Sequence, residues 1–174
     1  MRLLLLLCLI HLGTYFHALG DFKASCIVSE SRKILGIKET PGTNNRGPEV
    51  DALVKAVGGK IGTPWCGWTA KYVHQKCKCP SGGGMALSWF IASKIIKNEW
   101  VPGDVFSIWN KYMGRIGHIG MVEQVLPSGN FIVSIEGNTN GSGSRDGGGV
   151  YRLTRPVKQI YSFARWWRTP VQSL

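Results

Sequence analysis

The feature that most limits the fold is a change of hydrophobic period near Pro102-Gly-Asp104. Upstream, apolar residues recur every three or four positions; downstream they gather into short runs ended by glycine or proline. The first period suits helices that pack through one face, and the second suits strands. Helices first and an antiparallel sheet after is the α+β arrangement. A chain of 174 residues has room for one such unit and its core.

The upstream half reads as four helices. Ser29 to Ile37 form a first short one, ended by Gly36 and the turn-rich Thr40-Pro-Gly-Thr-Asn-Asn-Arg-Gly47. Pro48 then stands where a helix tolerates proline, and Val50, Leu53, Val54 and Val57 follow at helical spacing until Gly58-Gly59. A third helix runs from Pro64 to Gln75, with Trp68 and Tyr72 in one i, i+4 row and Trp65, Thr69 and Val73 in another. After Ser81-Gly-Gly-Gly84, Met85 to Lys97 read as a fourth, with Leu87, Phe90, Ile91 and Ile95 inward. The downstream half offers five strands: Val105 to Trp109, His118 to Val125, Phe131 to Ile135, Val150 to Leu153 and Ile160 to Ala164.

Met1-Arg-Leu-Leu-Leu-Leu-Leu-Cys-Leu-Ile10 is a basic start and an apolar run, and Ala18-Leu-Gly20 carries small residues at a signal-peptidase spacing. Residues 1–20 are therefore expected to be a secretory signal, and residues 21–174 a single domain. An uncleaved anchor is the alternative; His11 and His17 weaken it, because a span needs about 20 mostly apolar residues. Residues 1–20 hold one basic and no acidic residue, so their removal takes the formal charge from +11 to +10. So basic a chain is drawn to polyanions: cell-wall polymer, anionic lipid or nucleic acid. Scattered charges and secretion argue against nucleic acid.

Cys26, Cys66, Cys77 and Cys79 follow the signal. In an oxidising compartment pairing is the default, and Cys26 with either Cys77 or Cys79 is the expected disulfide. His74-x-x-Cys77-x-Cys79 holds three metal-ligand residues without an evident fourth, so no metal is expected. Cys66 is different, because in Gly62-Thr-Pro-Trp-Cys-Gly-Trp68 it opens a helix. Unpaired N–H groups and the positive end of the helix dipole there favour thiolate over thiol. A buried inert cysteine and a disulfide partner stay open as alternatives.

A cysteine nucleophile needs a base, and beyond residue 20 the only histidines are His74 and His118. His74 lies on the same helix, roughly 12 Å further along its axis, which leaves His118. The strand from His118 to Val125 turns through Pro127-Ser-Gly129 into Asn130-Phe-Ile-Val-Ser-Ile-Glu-Gly-Asn138. A three-residue loop places Leu126 opposite Asn130, Gly120 opposite Glu136 and His118 opposite Asn138; a two-residue loop pairs His118 with Thr139 instead. In the first register Ile119, Met121 and Val125 share a core face with Phe131, Val133 and Ile135, with Glu123 its exception. His118, Gly120, Ser134, Glu136 and Asn138 share the other. Glu136 or Asn138 is then placed to fix the tautomer of His118.

Pro64-Trp-Cys66, Pro102-Gly-Asp-Val105, Gly117-His-Ile-Gly-Met-Val122 and Ile135-Glu-Gly-Asn-Thr139 resemble, in order and spacing, the motifs of the CHAP family, the cysteine, histidine-dependent amidohydrolases and peptidases. Glu39 to Val50 is similar to the segment that precedes the cysteine in many members, and the resemblance covers roughly residues 29 to 166. It implies a papain-like fold with Cys66 as nucleophile, His118 as base, and Glu136 and Asn138 as the catalytic polar positions beside the histidine. It also implies hydrolysis of amide bonds in peptidoglycan by a secreted or periplasmic, wall-associated protein. Gly67 departs from the alanine usual after the cysteine, which is expected to loosen the helix start. Some members hold calcium through closely spaced acidic residues ahead of the cysteine, and no such cluster occurs here.

The implied reaction is thiolate attack on the amide carbonyl, protonation of the leaving amine by His118, and hydrolysis of the thioester. The N–H of Cys66 is one expected oxyanion donor. The protein is expected to act as a monomer, without a cofactor. Two other readings are a wall-binding protein in which Cys66 is disulfide-bonded, and an antibacterial effector or phage-type lysin using the same chemistry. Thr139 to Gly149 is expected to be either a cleft rim or a plain connection, and Trp166 and Trp167 to meet sugars, a membrane surface or the core.

Overall fold

A computed structural model describes residues 21–144 and 147–168; the segment read as a secretory signal lies outside them. The fold is α+β. Helix α1 occupies residues 21–33, α2 Pro48–Ala56 and α3 Cys66–Lys76. Strands β1 (Ile95–Ile96), β2 (Val105–Asn110), β3 (Arg115–Val125), β4 (Phe131–Thr139), β5 (Gly149–Pro156) and β6 (Ser162–Ala164) form one antiparallel sheet in the order β1-β6-β2-β3-β4-β5. Among the described residues, no helix is long and apolar enough to cross a membrane.

Helix α2 begins at Pro48 as the proline signal predicts, and α3 opens on Cys66 itself. Two helix expectations are corrected. The first helix occupies residues 21–33 and is not the predicted Ser29 to Ile37. Its inward row is Ala24, Ile27 and Ser31, continued by Ile34 in the turn just past its end. Ser31 hides the periodicity: it is 1 % exposed, and its hydroxyl donates back to the Ile27 carbonyl at 2.6 Å, so a polar residue sits on the core face at little penalty.

Met85 to Lys97 do not form a fourth helix. They make two short 3₁₀ turns, Ala86–Trp89 and Ala92–Lys94, before β1. Ser88 accepts the Gly83 N–H and donates to the Met85 carbonyl, offering the backbone a local alternative to a helix. Trp89 is fully buried and donates its indole N–H to the Gly83 carbonyl, while Leu87 and Ile91 from the supposed inner stripe are exposed. Burying one indole thus takes precedence over a continuous stripe.

The main core lies between the helices and one sheet face, and includes Ile27, Val50, Trp65, Trp89, Ile119, Met121 and Ile135. The disulfide Cys26–Cys77 ties α1 to the end of α3, and Cys79 is a free buried thiol. Trp166 and Trp167 both go into this core, their indole N–H groups bonded to the Trp89 carbonyl and to Asp104. Asp104, from the Pro102-Gly-Asp104 turn, is fully buried and receives a two-point bond from Arg165 at 2.8 Å.

The hairpin between β3 and β4 uses both candidate registers. Near the turn Val125 faces Ile132, and Leu126 donates its N–H to the Phe131 carbonyl, so Leu126 does not face Asn130. A bulge at Glu123 then absorbs one residue, and beyond it Val122 faces Ser134 and Met121 faces Ile135, the register predicted for the His118 end. The bulge also corrects the face assignment. Val125 joins Val122, Ile132, Phe106 and Phe163 in a second apolar cluster on the other side of the sheet. The carboxylate of Glu123 is taken up by Arg32 of α1 and Arg152 of β5, each at 2.6 Å.

Candidate active site

Two contacts dock the first turn of α3 on the far end of β4. The Trp65 N–H, immediately before Cys66, donates to Oδ1 of Asn138 at 3.0 Å. Gly137 lets the helix approach, since a Cβ there would lie 2.1 Å from Oγ1 of Thr69. Asn138 is held in turn: its Nδ2 donates to Oδ1 of Asn45 and to the Gly147 carbonyl. The backbone at Asn138 is left-handed, φ 57°, a conformation asparagine tolerates better than most residues.

The segment upstream of α2 braces the same point. Oε1 of Glu39 accepts the Trp65 indole N–H at 2.8 Å, and its Oε2 accepts the Asn45 N–H at 2.8 Å. The segment from Glu39 to Asn45 is thus a bracket that fixes the indole beside the thiol.

Cys66 is a free thiol with 5 % of its surface exposed, and His118 is fully enclosed. Nε2 of His118 donates to Oε2 of Glu136 at 2.8 Å. Nδ1 has no well-aligned partner among the described residues, which leaves it for the neighbouring sulfur. Burial alone would depress the imidazole pKa. Hydrogen bonding to Cys66 and Glu136, and their negative charge, outweigh it and lift the value to about 9. The arrangement favours an imidazolium facing sulfur on one side and carboxylate on the other.

Glu136 is also fully buried, yet charged. Burial pushes its carboxyl upward, but bonds from Arg155 and His118 win and hold it at about 2. Its two oxygens accept four bonds: Nε2 of His118, the Ser134 hydroxyl at 2.5 Å, and Nε and Nη2 of Arg155 at 2.8 and 2.7 Å. That exhausts its lone pairs. No protein-family model matches this chain, and no curated protein matches it.

Of the four residues predicted for the site, Cys66, His118 and Glu136 come together. Asn138 stands beside them but is fastened to Trp65, the residue before Cys66, and not to the imidazole. Between the two candidates for orienting His118, Glu136 makes the bond. His74, further along α3, takes no part in this cluster: its Nδ1 bonds the Ala70 carbonyl and its ring packs edge-on to Trp89. With Cys77 in a disulfide, His74, Cys77 and Cys79 do not assemble into a ligand set.

Sequence reasoning missed Arg155. The expected strand stopped at Leu153, whereas β5 runs on to Pro156. The available signal was the acid: a carboxylate on a buried strand face needs a cation, and the pairing of Glu136 with Tyr151 and of Ile132 with Arg155 puts Arg155 on that face. The loop after β4 is partly organised, with Oδ1 of Asn140 accepting the N–H groups of Ser142 and Ser144.

Proposed function

We propose that this protein is a papain-like cysteine hydrolase of the CHAP type that cleaves amide bonds in peptidoglycan. One observation carries the reading: a free thiol at the first turn of α3, coupled to a buried imidazole whose other nitrogen is fixed by a carboxylate. Sulfur attacks the carbonyl carbon, and the imidazolium gives its proton to the leaving amine. The resulting neutral imidazole takes a proton from water as that water opens the thioester. Trp65 spends its N–H on Asn138, and the amide of Cys66, next along the first turn, serves as an oxyanion donor.

The formal charge of +11 supports residence on an anionic wall. The wall-binding reading requires Cys66 in a disulfide; here Cys26 and Cys77 are paired instead, which favours catalysis. The deciding experiment incubates purified protein and Cys66→Ala with peptidoglycan under mild reduction and identifies released fragments by mass spectrometry. Fragments from the unaltered protein alone are expected, and their ends distinguish amidase from endopeptidase. Equal wall binding by both proteins with no fragments from either would refute the proposal.

A further inference from the structure

The carboxylate that orients His118 is itself governed by one more buried side chain. We propose that Arg155 is a positioning residue of this site: it holds Glu136 ionised and aimed, and so sets the pH range over which Cys66 reacts. The proposal rests on the hydrolase reading only in taking Cys66 as the reacting thiol.

Arg155 reaches Glu136 diagonally across β4 and β5, its side chain 10 % exposed. The bond is two-pointed, Nε to Oε1 and Nη2 to Oε2, a geometry only a guanidinium provides. Nη2 also donates to the Gly143 carbonyl at 3.1 Å. The loop crosses so close that a Cβ on Gly143 would lie 2.7 Å from Nη1, so it shields the guanidinium from water.

When the thiolate and imidazolium form, charge alternates along the cluster: Cys66 negative, His118 positive, Glu136 negative, Arg155 positive. The whole is neutral in a dry site. Without the guanidinium the same state carries a net negative charge, and the cluster relieves it by binding a proton at sulfur or carboxylate. Removing a positive charge raises the proton affinity of every acid around it, so the sign is fixed. The other groups facing Glu136 are Ser134 on its own strand, His118 on β3, Cys66 on α3 and Tyr151, its cross-strand neighbour on β5. Arg152 pairs with Ile135 and Glu123 and so belongs to the opposite face.

The test follows Cys66 alkylation by iodoacetamide against pH in the full-length protein, with the Cys66 peptide resolved from that of Cys79 by mass spectrometry. Arg155→Gln is expected to move the acid limb upward by about one pH unit or more, a tenfold slower reaction at fixed pH on that limb. Arg155→Lys keeps the charge but not the fork, and is expected to give a smaller shift in the same direction. A purely structural arginine would lower thermal stability in both variants and leave the limb in place, which would overturn the proposal. If Arg155→Gln does not fold, Arg155→Lys decides, an unmoved limb again overturning it. Alkylation needs no substrate, so its outcome stands apart from the hydrolase reading. A protein that shows this shift but releases nothing from peptidoglycan would refute that reading alone.

Discussion

Replacing Gly67 with alanine sets propensity against packing. By propensity alone, alanine is the better helix former by about 1 kcal/mol and should firm up the start of α3. The structure reverses the sign. A Cβ on Gly67 would lie 2.1 Å from the Gly84 oxygen, 2.6 Å from the Gly84 carbonyl carbon and 3.0 Å from the Gly83 oxygen. That backbone cannot retreat easily, since Gly84 already abuts the Trp68 indole and Gly82 the Trp89 indole. Overpacking costs about 1–3 kcal/mol; a Cβ 2.1 Å from a backbone oxygen belongs at the upper end of that range, so after the propensity gain a net loss of about 2 kcal/mol is expected. For a chain of this size that is a fall in Tm of about 4–8 °C. Gly67 adjoins Cys66, so the displaced turn also carries sulfur away from His118, and alkylation of Cys66 is expected to slow. Urea denaturation with an unchanged m-value, beside the alkylation rate, measures both effects. A Gly67→Ala protein as stable and as reactive as the parent would refute the reasoning.

The two buried histidines are expected to affect stability in opposite pH ranges. His118 titrates near 9 when folded and near 6.5 when unfolded, so its contribution is full below pH 6.5 and is lost as pH rises to 9. In denaturation midpoints across that range the loss should vanish in His118→Gln; a loss that persists there would assign it to other groups. His74 is held neutral by burial, which lowers its pKa from 6.5 to about 4. Its contribution is therefore full above pH 6.5 and disappears toward pH 4, about 3 kcal/mol in all. His74→Gln should flatten that acid limb, and an unchanged limb would count against it. Cys26→Ser together with Cys77→Ser opens a loop with a sequence separation of 51 and should destabilise the fold by about 4 kcal/mol, read from the denaturation midpoint; a loss under about 1 kcal/mol would contradict the cross-link estimate.

What could be read from the sequence followed how local its cause was. Pro48 and the glycines after Val57 are local punctuation, and α2 follows them; the opening of α3 at Cys66 is legible for the same reason. The strands after Pro102 alternate against a fixed sheet and fall close to their expected places. The misses have non-local causes. Ser31 is tolerated in the core because a backbone carbonyl of its own helix satisfies it, and apolar periodicity cannot register that. Met85 to Lys97 carry a helical stripe, but Trp89 must reach a pocket whose walls include His74 and Trp166, one earlier and one much later in the chain. The bulge at Glu123 is fixed by Arg32 and Arg152, which lie on other elements. The proximity of Cys66 and His118 entered through the motif resemblance, because no counting along one strand or helix brings two elements together.

The spacing of Glu136-Gly-Asn138 then acquires a mechanical reason. Glu136 turns toward the His118 side and carries the imidazole. Gly137 points the other way and admits Thr69, setting how closely α3 lies on the strand. Asn138, in a left-handed kink, reaches the backbone just before Cys66 and sets where the helix begins. Three consecutive residues thus set the imidazole, the distance to the helix and the start of the helix. An insertion or deletion there would exchange the strand faces and separate thiol from imidazole even with every side chain retained. Asn45, itself held by Glu39, braces this stretch from the segment before α2, and Arg155 braces it from β5, so bonds from several elements converge on β4.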